Sequence, residues 1–582
     1  MPLKPKIILK QIIHGKKARV IKTGKEIPSW IMRLRKWIYL LALLAILFLV
    51  LESGLRWQLP GFLITFSSIL DYTVFLCFLL DAGLMFYYTY PKSLYFKDNW
   101  LDILVFAPLI LRLISLRSGA GLIMIRYLII FIKTFTRTRK FSNLLHNVRL
   151  NTAQIVAISF VGTILVGTIL LTFPSATADG NGASFVDALF TSTSATCVTG
   201  LIVQDTPNYF SSFGQIVILV LIQLGGLGIM TYSAFLALIV GRFSFGQRRI
   251  VQEMFEEERN IYNMIFYIFK MTLIIECLGI LLLFARWIFV FNDPLKCIYL
   301  SIFHSISAFC NAGFSLFSDS LSRFVSDPIT NIIMMFLIIV GGIGFITIHE
   351  IAHLPTRSKR ALSTHTKTVL ITSFFLIGIG FLAVFFFEFD GILLKYSIPA
   401  KLWASLFQSV TTRTAGFNTL PIESLTNVTL TIMIFFMFIG ASPGSTGGGI
   451  KTTTFAVLLL SVRSVFKGEG SVKADRKTIP AAGIIKALAL LVSALILVLV
   501  IFLLLLFTED KPYLSLLFET ISAFGTVGLS TGITPELTVQ GKLLITLLMY
   551  IGRIGPLTMG LALTKEIMKE KIEYPETRIL IG

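Results

Sequence analysis

The sequence predicts an all-α integral membrane protein in which four helix–loop–helix repeats follow about four accessory transmembrane helices. Three observations lead there. Of 582 residues, 55% are hydrophobic and 14% charged, whereas soluble domains run at roughly 45–50% apolar and about 25% charged. The apolar residues fall in long runs such as Leu488–Phe507 and Ile332–Ile348, near the ~20 residues needed to cross about 30 Å of hydrocarbon. From about residue 155 onward the chain repeats itself four times. Twelve candidate spans with short polar connections result. This composition excludes soluble enzymes and nucleic-acid binders.

Taken in order, residues 1–36 form a basic tail, with eleven Lys or Arg against a single acid, Glu26. Seventeen more basic residues lie in segments 241–260, 353–367, 462–480 and 564–582. Such an excess marks cytoplasmic connections. Both termini are therefore expected in the cytoplasm, in a multi-pass protein of the cell membrane. The net charge of +20 then serves lipid headgroups or an acidic partner subunit, not nucleic acid. The first apolar run, Trp37–Leu51, follows a long tail and lacks a small-x-small cleavage site, so it reads as a membrane helix rather than a signal peptide.

Residues 37–140 are expected to form a four-helix membrane domain, with helices near 37–51, 62–88, 98–115 and 121–138. The third opens N-W-L-D-I-L-V-F-A-P and the fourth carries Arg126, Lys133, Arg137 and Arg139, so the domain resembles a voltage sensor. A working sensor needs a regular ladder of charges. Here Ile123, Ile129 and Ile132 occupy rungs beside Arg126, which favours structural anchoring. The repeats are expected at 141–245, 246–360, 361–470 and, with the C-terminal tail, 471–582.

Each repeat carries a short semi-polar segment: S-A-T-C-V-T-G-L, S-A-F-C-N-A-G-F, T-T-R-T-A-G-F and S-A-F-G-T-V-G-L. Their last glycines, Gly200, Gly313, Gly416 and Gly528, are 113, 103 and 112 residues apart. A second landmark lies 25, 28, 24 and 24 residues further on, at Gly225, Gly341, Gly440 and Gly552. Each short segment with its lead-in is too brief to cross the bilayer and suits a half-helix. Non-helical backbone at membrane depth is tolerated only where it is buried or lines a water-filled cavity. Entering and leaving on one side keeps the units parallel, so four of them can enclose one pore.

A dehydrated cation needs oxygen ligands, which rings of backbone carbonyls supply. Aiming successive carbonyls inward requires positive φ, which Gly adopts at little cost. The hydroxyls of Thr196, Thr199, Thr414 and Thr526 are further candidate ligands. The loops hold no acid, and Arg413 is their sole base. A carbonyl filter therefore fits better than a carboxylate one. Its candidate residues are Thr196, Cys197, Val198, Thr199 and Gly200; Phe309, Cys310, Asn311, Ala312 and Gly313; Thr412, Arg413, Thr414, Ala415 and Gly416; and Phe524, Gly525, Thr526, Val527 and Gly528.

The four motifs, in this order, resemble those of the Trk/Ktr/HKT potassium transporters, most closely the KtrB-type membrane subunit. The similarity spans roughly residues 150–575. It implies K⁺ uptake through one pore per chain, with K⁺ as cargo. No site for fuel hydrolysis is evident in the sequence, so transport is expected to run down the electrochemical gradient, with no covalently bound cofactor and Na⁺ coupling left open. It also implies a homodimer paired with a cytosolic nucleotide-binding regulatory subunit. In this family a Ser at the first loop glycine is linked with Na⁺ permeation; all four positions here are Gly. The N-terminal helices depart from the short N-terminus typical of the group.

Two gate elements carry over by the same resemblance. In the third repeat the second helix is interrupted at G-A-S-P-G-S-T-G-G-G-I-K-T, where Pro443 and several glycines make a continuous helix unfavourable. The gate set comprises Gly440, Ser442, Pro443, Gly444, Gly447, Gly448, Gly449 and Lys451, with Arg553 of the fourth repeat. Arg553 sits midway along an apolar helix, which is costly unless it faces a cavity or partner.

Two alternatives compete with this reading. One is a cation channel regulated by residues 37–140. The other is an intramembrane zinc protease, because H-E-I-A-H at His349–His353 matches HExxH, with Asp390 as a third ligand. Its partners in the other repeats carry no such motif, and Asp390 is expected on the opposite side of the membrane. G-S-T-G-G-G-I-K-T misses the phosphate-loop pattern because Ile450 stands where Gly is required.

Overall fold

A computed structural model describes residues 152–227, 261–354 and 362–563, with isolated positions between residues 37 and 87. The chain divides into two compact units. One comprises residues 1–148 with 173–182, the other residues 149–172 with 183–582. The expected basic tail and most of the expected four-helix domain lie outside the described residues.

In the second unit the same order of elements recurs. The first pass is α1 (Thr152–Leu171), α2 (Phe185–Thr196) and α3 (Ser212–Gly226). The second is α4 (Ile261–Phe291), α5 (Pro294–Phe309), α6 (Pro328–Ile343) and α7 (Phe345–His353). The third is α8 (Thr364–Phe387), α9 (Ile398–Thr411), α10 (Asn427–Phe438) and α11 (Thr452–Phe466). The fourth is α12 (Ala481–Thr508), α13 (Tyr513–Gly525), α14 (Val539–Ile554) and α15 (Pro556–Leu563). The small hairpin of β1 (Lys473–Ala474) and β2 (Lys477–Thr478) lies between α11 and α12, where Lys367 meets Asp475 at 2.8 Å.

Among the described residues, α1, α4, α8 and α12 are long and apolar enough to cross a membrane, and the α6–α7 pair is a fifth if counted as one span. The sequence predicts a break in the second helix of the third repeat alone, but those of the second and fourth are broken too. α6 and α7 meet at a bend of 102°, where Gly344 takes φ 93°. Gly555 repeats that conformation between α14 and α15. Glycine bears this left-handed backbone without a Cβ clash. The four long helices turn apolar side chains outward, Phe374 on α8 and Phe507 on α12 among them, as a helix facing lipid must.

Local chemistry sets each element's start. α3, α6, α10 and α14 open on Ser211, Asp327, Thr426 and Thr538, whose side-chain oxygens accept from backbone amides at 3.1–3.3 Å. Such caps satisfy donors that the first helical turn leaves unpaired. In three passes the long helix is locked to the short one by a serine: Ser192 donates to the Ile164 carbonyl, Ser305 to that of Glu276 and Ser409 to that of Ile377. A Cβ on Gly167, Gly279 or Gly380 would come within 2.5 Å of those serine oxygens. Small residues are what permit this approach.

Packing between passes is cyclic. α3 lies against α5, α6 against α9, α10 against α13 and α14 back against α2. Each short helix therefore sits between its own long helix and the second helix of the preceding pass.

Candidate ion pathway

The site is built where α2, α5, α9 and α13 end. These helices have 12, 16, 14 and 13 residues, about 18–24 Å at ~1.5 Å per residue. All four end at the loops, so their C-terminal carbonyl ends converge there. A helix C-terminus carries roughly half a negative charge. Four of them favour a cation.

Past each helix the backbone follows one path. The residue two places before the last glycine is left-handed in every loop: Val198 (φ 57°), Asn311 (58°), Thr414 (69°) and Thr526 (50°). The glycines follow with φ 92°, 71°, 79° and 90°. A non-glycine residue with positive φ is uncommon, and four at matched positions reverse the chain in the same way. The residue between them closes each loop onto its helix: the amides of Thr199, Ala312, Ala415 and Val527 donate to the carbonyls of Ser194, Ser307, Thr411 and Ser522 at 2.7–3.0 Å.

Those same four hydroxyl residues anchor the loops a second time. Ser194, Ser307 and Thr411 donate to the carbonyls of Leu201, Phe314 and Phe417. The Gly200 amide donates to Ser194 Oγ at 3.0 Å, and the Gly528 amide to Ser522 Oγ at 3.1 Å. Sequence reasoning missed these anchors. The signal was present as a hydroxyl residue six places before the glycine in three loops and five in the third.

The glycines meet in a closed ring. A Cβ on Gly200 would lie 2.4 Å from the Ala312 carbonyl oxygen, one on Gly313 3.0 Å from that of Ala415. One on Gly416 would lie 2.5 Å from the Val527 oxygen, and one on Gly528 2.0 Å from that of Thr199. Any side chain would collide with the next loop. The expected stretches are not uniform, however: Thr196, Phe309, Phe524 and Gly525 are still helical, and Cys197, Cys310 and Thr412 are helix caps. The hydroxyls of Thr196, Thr199, Thr414 and Thr526 are buried without a protein partner among the described residues.

The second landmark is a close approach. A Cβ on Gly225, Gly341 or Gly552 would stand about 2 Å from the carbonyl oxygen of Thr196, Phe309 or Phe524. The third pass breaks the pattern: Gly440 faces the Gly448 carbonyl instead. Between α10 and α11 the chain folds on itself, with the Gly440 amide donating to Ile450 and that of Thr452 to Ala441. Lys451 Nζ donates to the Gly447 carbonyl at 2.8 Å.

This segment lies against the loops. A Cβ on Gly447 would meet Thr414 Oγ1 at 2.1 Å, and one on Gly448 would meet Thr526 Oγ1 at 2.4 Å; Gly449 abuts Gly525. The Ser442 and Thr446 amides donate to the carbonyls of Gly342 and Gly341, and the Phe345 amide to Gly444. A Cβ on Gly344 would touch the Pro443 carbonyl at 2.5 Å. Thr446, absent from the sequence-derived set, also donates its hydroxyl to Phe309 at 3.2 Å.

Arg553 clamps the segment. It is 5% exposed, and its two terminal nitrogens donate to the carbonyls of Thr446 and Gly225. Among the described residues no carboxylate pairs with it. The HExxH residues lie elsewhere: Glu350 accepts from the Ser363 amide at 2.9 Å and its hydroxyl at 2.7 Å, and from the Thr366 hydroxyl. It caps α8. No cluster of three metal-ligating residues occurs among the described residues. Glu276 is held by Gln223, and Arg286 pairs with Asp327 at 3.0 Å.

Broken second helices packed around a ring of loop glycines define a multi-pass membrane transporter of cations, not an enzyme. Comparison with known proteins specifies the family. The TrkH family, described as cation transport protein, matches residues 122–574, and the chain belongs to it. The Ktr system potassium uptake protein B of Bacillus subtilis is 42% identical over 75% of this chain and 98% of its own. The potassium/sodium uptake protein NtpJ of Enterococcus hirae is 38% identical over 75% and 98%. The TrkH potassium transporter of Vibrio parahaemolyticus shares the fold, with a TM-score of 0.61 at 19% identity over 79% of this chain and 95% of that one.

Proposed function

We propose that this protein takes up K⁺ across the cell membrane through one pore enclosed by four parallel repeats, driven by the electrochemical gradient. Both termini face the cytoplasm. The observation that carries the reading is the left-handed residue two places before a positive-φ glycine, recurring at the end of four converging helices. Such a backbone turns carbonyls toward one axis, where they replace the water that K⁺ sheds. The loops at 196–200, 309–313, 412–416 and 524–528 are the selectivity filter, and the orphaned threonine hydroxyls supplement its oxygens.

The Gly440–Thr452 segment is the gate. It lies against Thr414 and Thr526, so an ion leaving the filter meets it next. Arg553 ties the segment's Thr446 carbonyl to the Gly225 carbonyl of α3 and sets a positive charge in the path of a cation, which raises the barrier to K⁺. Lys451 adds a second. Opening needs the segment to leave Arg553, and its glycines and small side chains suit movement in a tight space.

Relatives named for potassium uptake support K⁺ as the cargo, and the one named for potassium and sodium keeps Na⁺ coupling open. Relatives named as lettered parts of a Ktr system support a partner subunit. The resemblance makes that subunit a cytosolic nucleotide-binding regulator, on a homodimer of this chain.

The test is growth of a K⁺-uptake-deficient bacterium at low K⁺, with wild type and Gly200→Ser. Wild type should rescue, and the variant should lose discrimination against Na⁺. Failure of wild type in the membrane, with candidate regulatory subunits co-expressed, would overturn the potassium reading.

A further inference from the structure

The backbone of Arg413 belongs to the third loop, but its side chain has no part in the path just described. It stands in the third loop where Cys197, Cys310 and Gly525 stand in the others. It is 8% exposed, and its Nε and Nη1 have no hydrogen-bond partner among the described residues. It lines a small crevice of about 20 Å³ between α6 and α8. Ser373 of α8 lines the same crevice, and its hydroxyl is also buried without a partner. Ile339, Ile343 and Ile377 wall the space, and Ala441 of the interrupted segment borders it.

A buried guanidinium without a counter-charge is among the costliest arrangements in a membrane protein. Water would satisfy its N–H groups but not its charge. The crevice supplies no carboxylate, and none of its lining side chains is acidic. With no counter-charge among the described residues, the crevice has a place for an anion from outside the chain. Depth narrows the choice. Ala441 follows the twelve residues of α10, about 18 Å of helix into a core of about 30 Å. Lipid phosphates lie at the core's edge, not near its middle.

We propose that Arg413 and Ser373 form a binding site for a small monovalent anion of chloride size. Guanidinium N–H groups and a hydroxyl both donate to such an ion, and the isoleucine walls disfavour larger hydrated ones. The bound anion offsets a positive charge beside the third loop, which would otherwise repel a cation in the glycine ring.

The test is equilibrium binding of radioactive chloride to the purified full-length protein in a neutral detergent. Wild type should show one saturable site per chain. Ser373→Ala should weaken it about tenfold, the effect of losing one hydrogen bond to a charged group, and Arg413→Met should abolish it. Because Arg413→Met removes a buried side chain next to the loop, Ser373→Ala in monodisperse form is the deciding variant. No saturable binding to wild type, or unchanged binding in Ser373→Ala, would overturn the site. Anionic phospholipid that co-purifies with wild type but not Ser373→Ala, without chloride binding, would also overturn it and assign the crevice to lipid.

Discussion

The four loops and the segment beneath them are built on opposite plans. The loops repeat one backbone path four times, from the hydroxyl anchor through the left-handed residue to the glycine. The Gly440–Thr452 segment occurs once and is tied to its neighbours by single, dissimilar contacts. Fourfold repetition suits a rigid cage of equivalent oxygens around a spherical ion. A single asymmetric segment suits a part that must move, because releasing a few contacts frees it. Rigidity and mobility meet where Gly447 and Gly448 abut Thr414 and Thr526.

The largest effect separating the two should come from the ring. Gly528→Ala would place a Cβ 2.0 Å from the Thr199 oxygen on a backbone of φ 90°. Uptake of ⁸⁶Rb⁺ should fall by two orders of magnitude or roughly more, since strain and clash together exceed ~3 kcal/mol. The clamp should respond in the opposite direction. Arg553→Ala removes one charge-assisted hydrogen bond from the segment, at Thr446, and the matching one that ties it to Gly225 of α3, worth about 1.5–3 kcal/mol each. Uptake should rise by about tenfold, measured in the same assay; an unchanged or lower rate would contradict the gate.

Smaller effects should come from the anchors. Ser522→Ala leaves the Gly528 amide unpaired at a cost of about 1–3 kcal/mol, and should relax selectivity between K⁺ and Na⁺ while sparing expression. Competition of Na⁺ against ⁸⁶Rb⁺ uptake reads this. Smallest of all is Glu350→Gln, which weakens the α8 cap by about 1 kcal/mol and lowers the melting temperature of the purified protein slightly. Uptake should stay unchanged, as a catalytic glutamate would not allow.

Glycines made much of this legible. Their spacing at 200, 313, 416 and 528, and again at 225, 341, 440 and 552, marks positions where backbones touch, and touching backbones tolerate no substitute. Gly344 and Gly555 were equally visible, three residues after Gly341 and Gly552, yet a helix break there depends on φ rather than composition. The loop anchors were hidden because serine is common beside any membrane loop, and only alignment of all four repeats singles out Ser194, Ser307, Thr411 and Ser522. Arg553 was visible as a charge in an apolar helix, but not its partners: backbone carbonyls leave no trace in sequence. The same holds for Glu350, where HExxH spacing coincided with a helix cap that is formed by residues thirteen and sixteen places away.

The central claim is that the glycine ring holds the ion. The most direct measurement is anomalous scattering from crystals of the full-length protein grown in Rb⁺. A peak on the axis enclosed by Gly200, Gly313, Gly416 and Gly528, absent from crystals of Gly528→Ala, is the expected result. Rb⁺ density elsewhere in the chain, with none inside the ring, would contradict it.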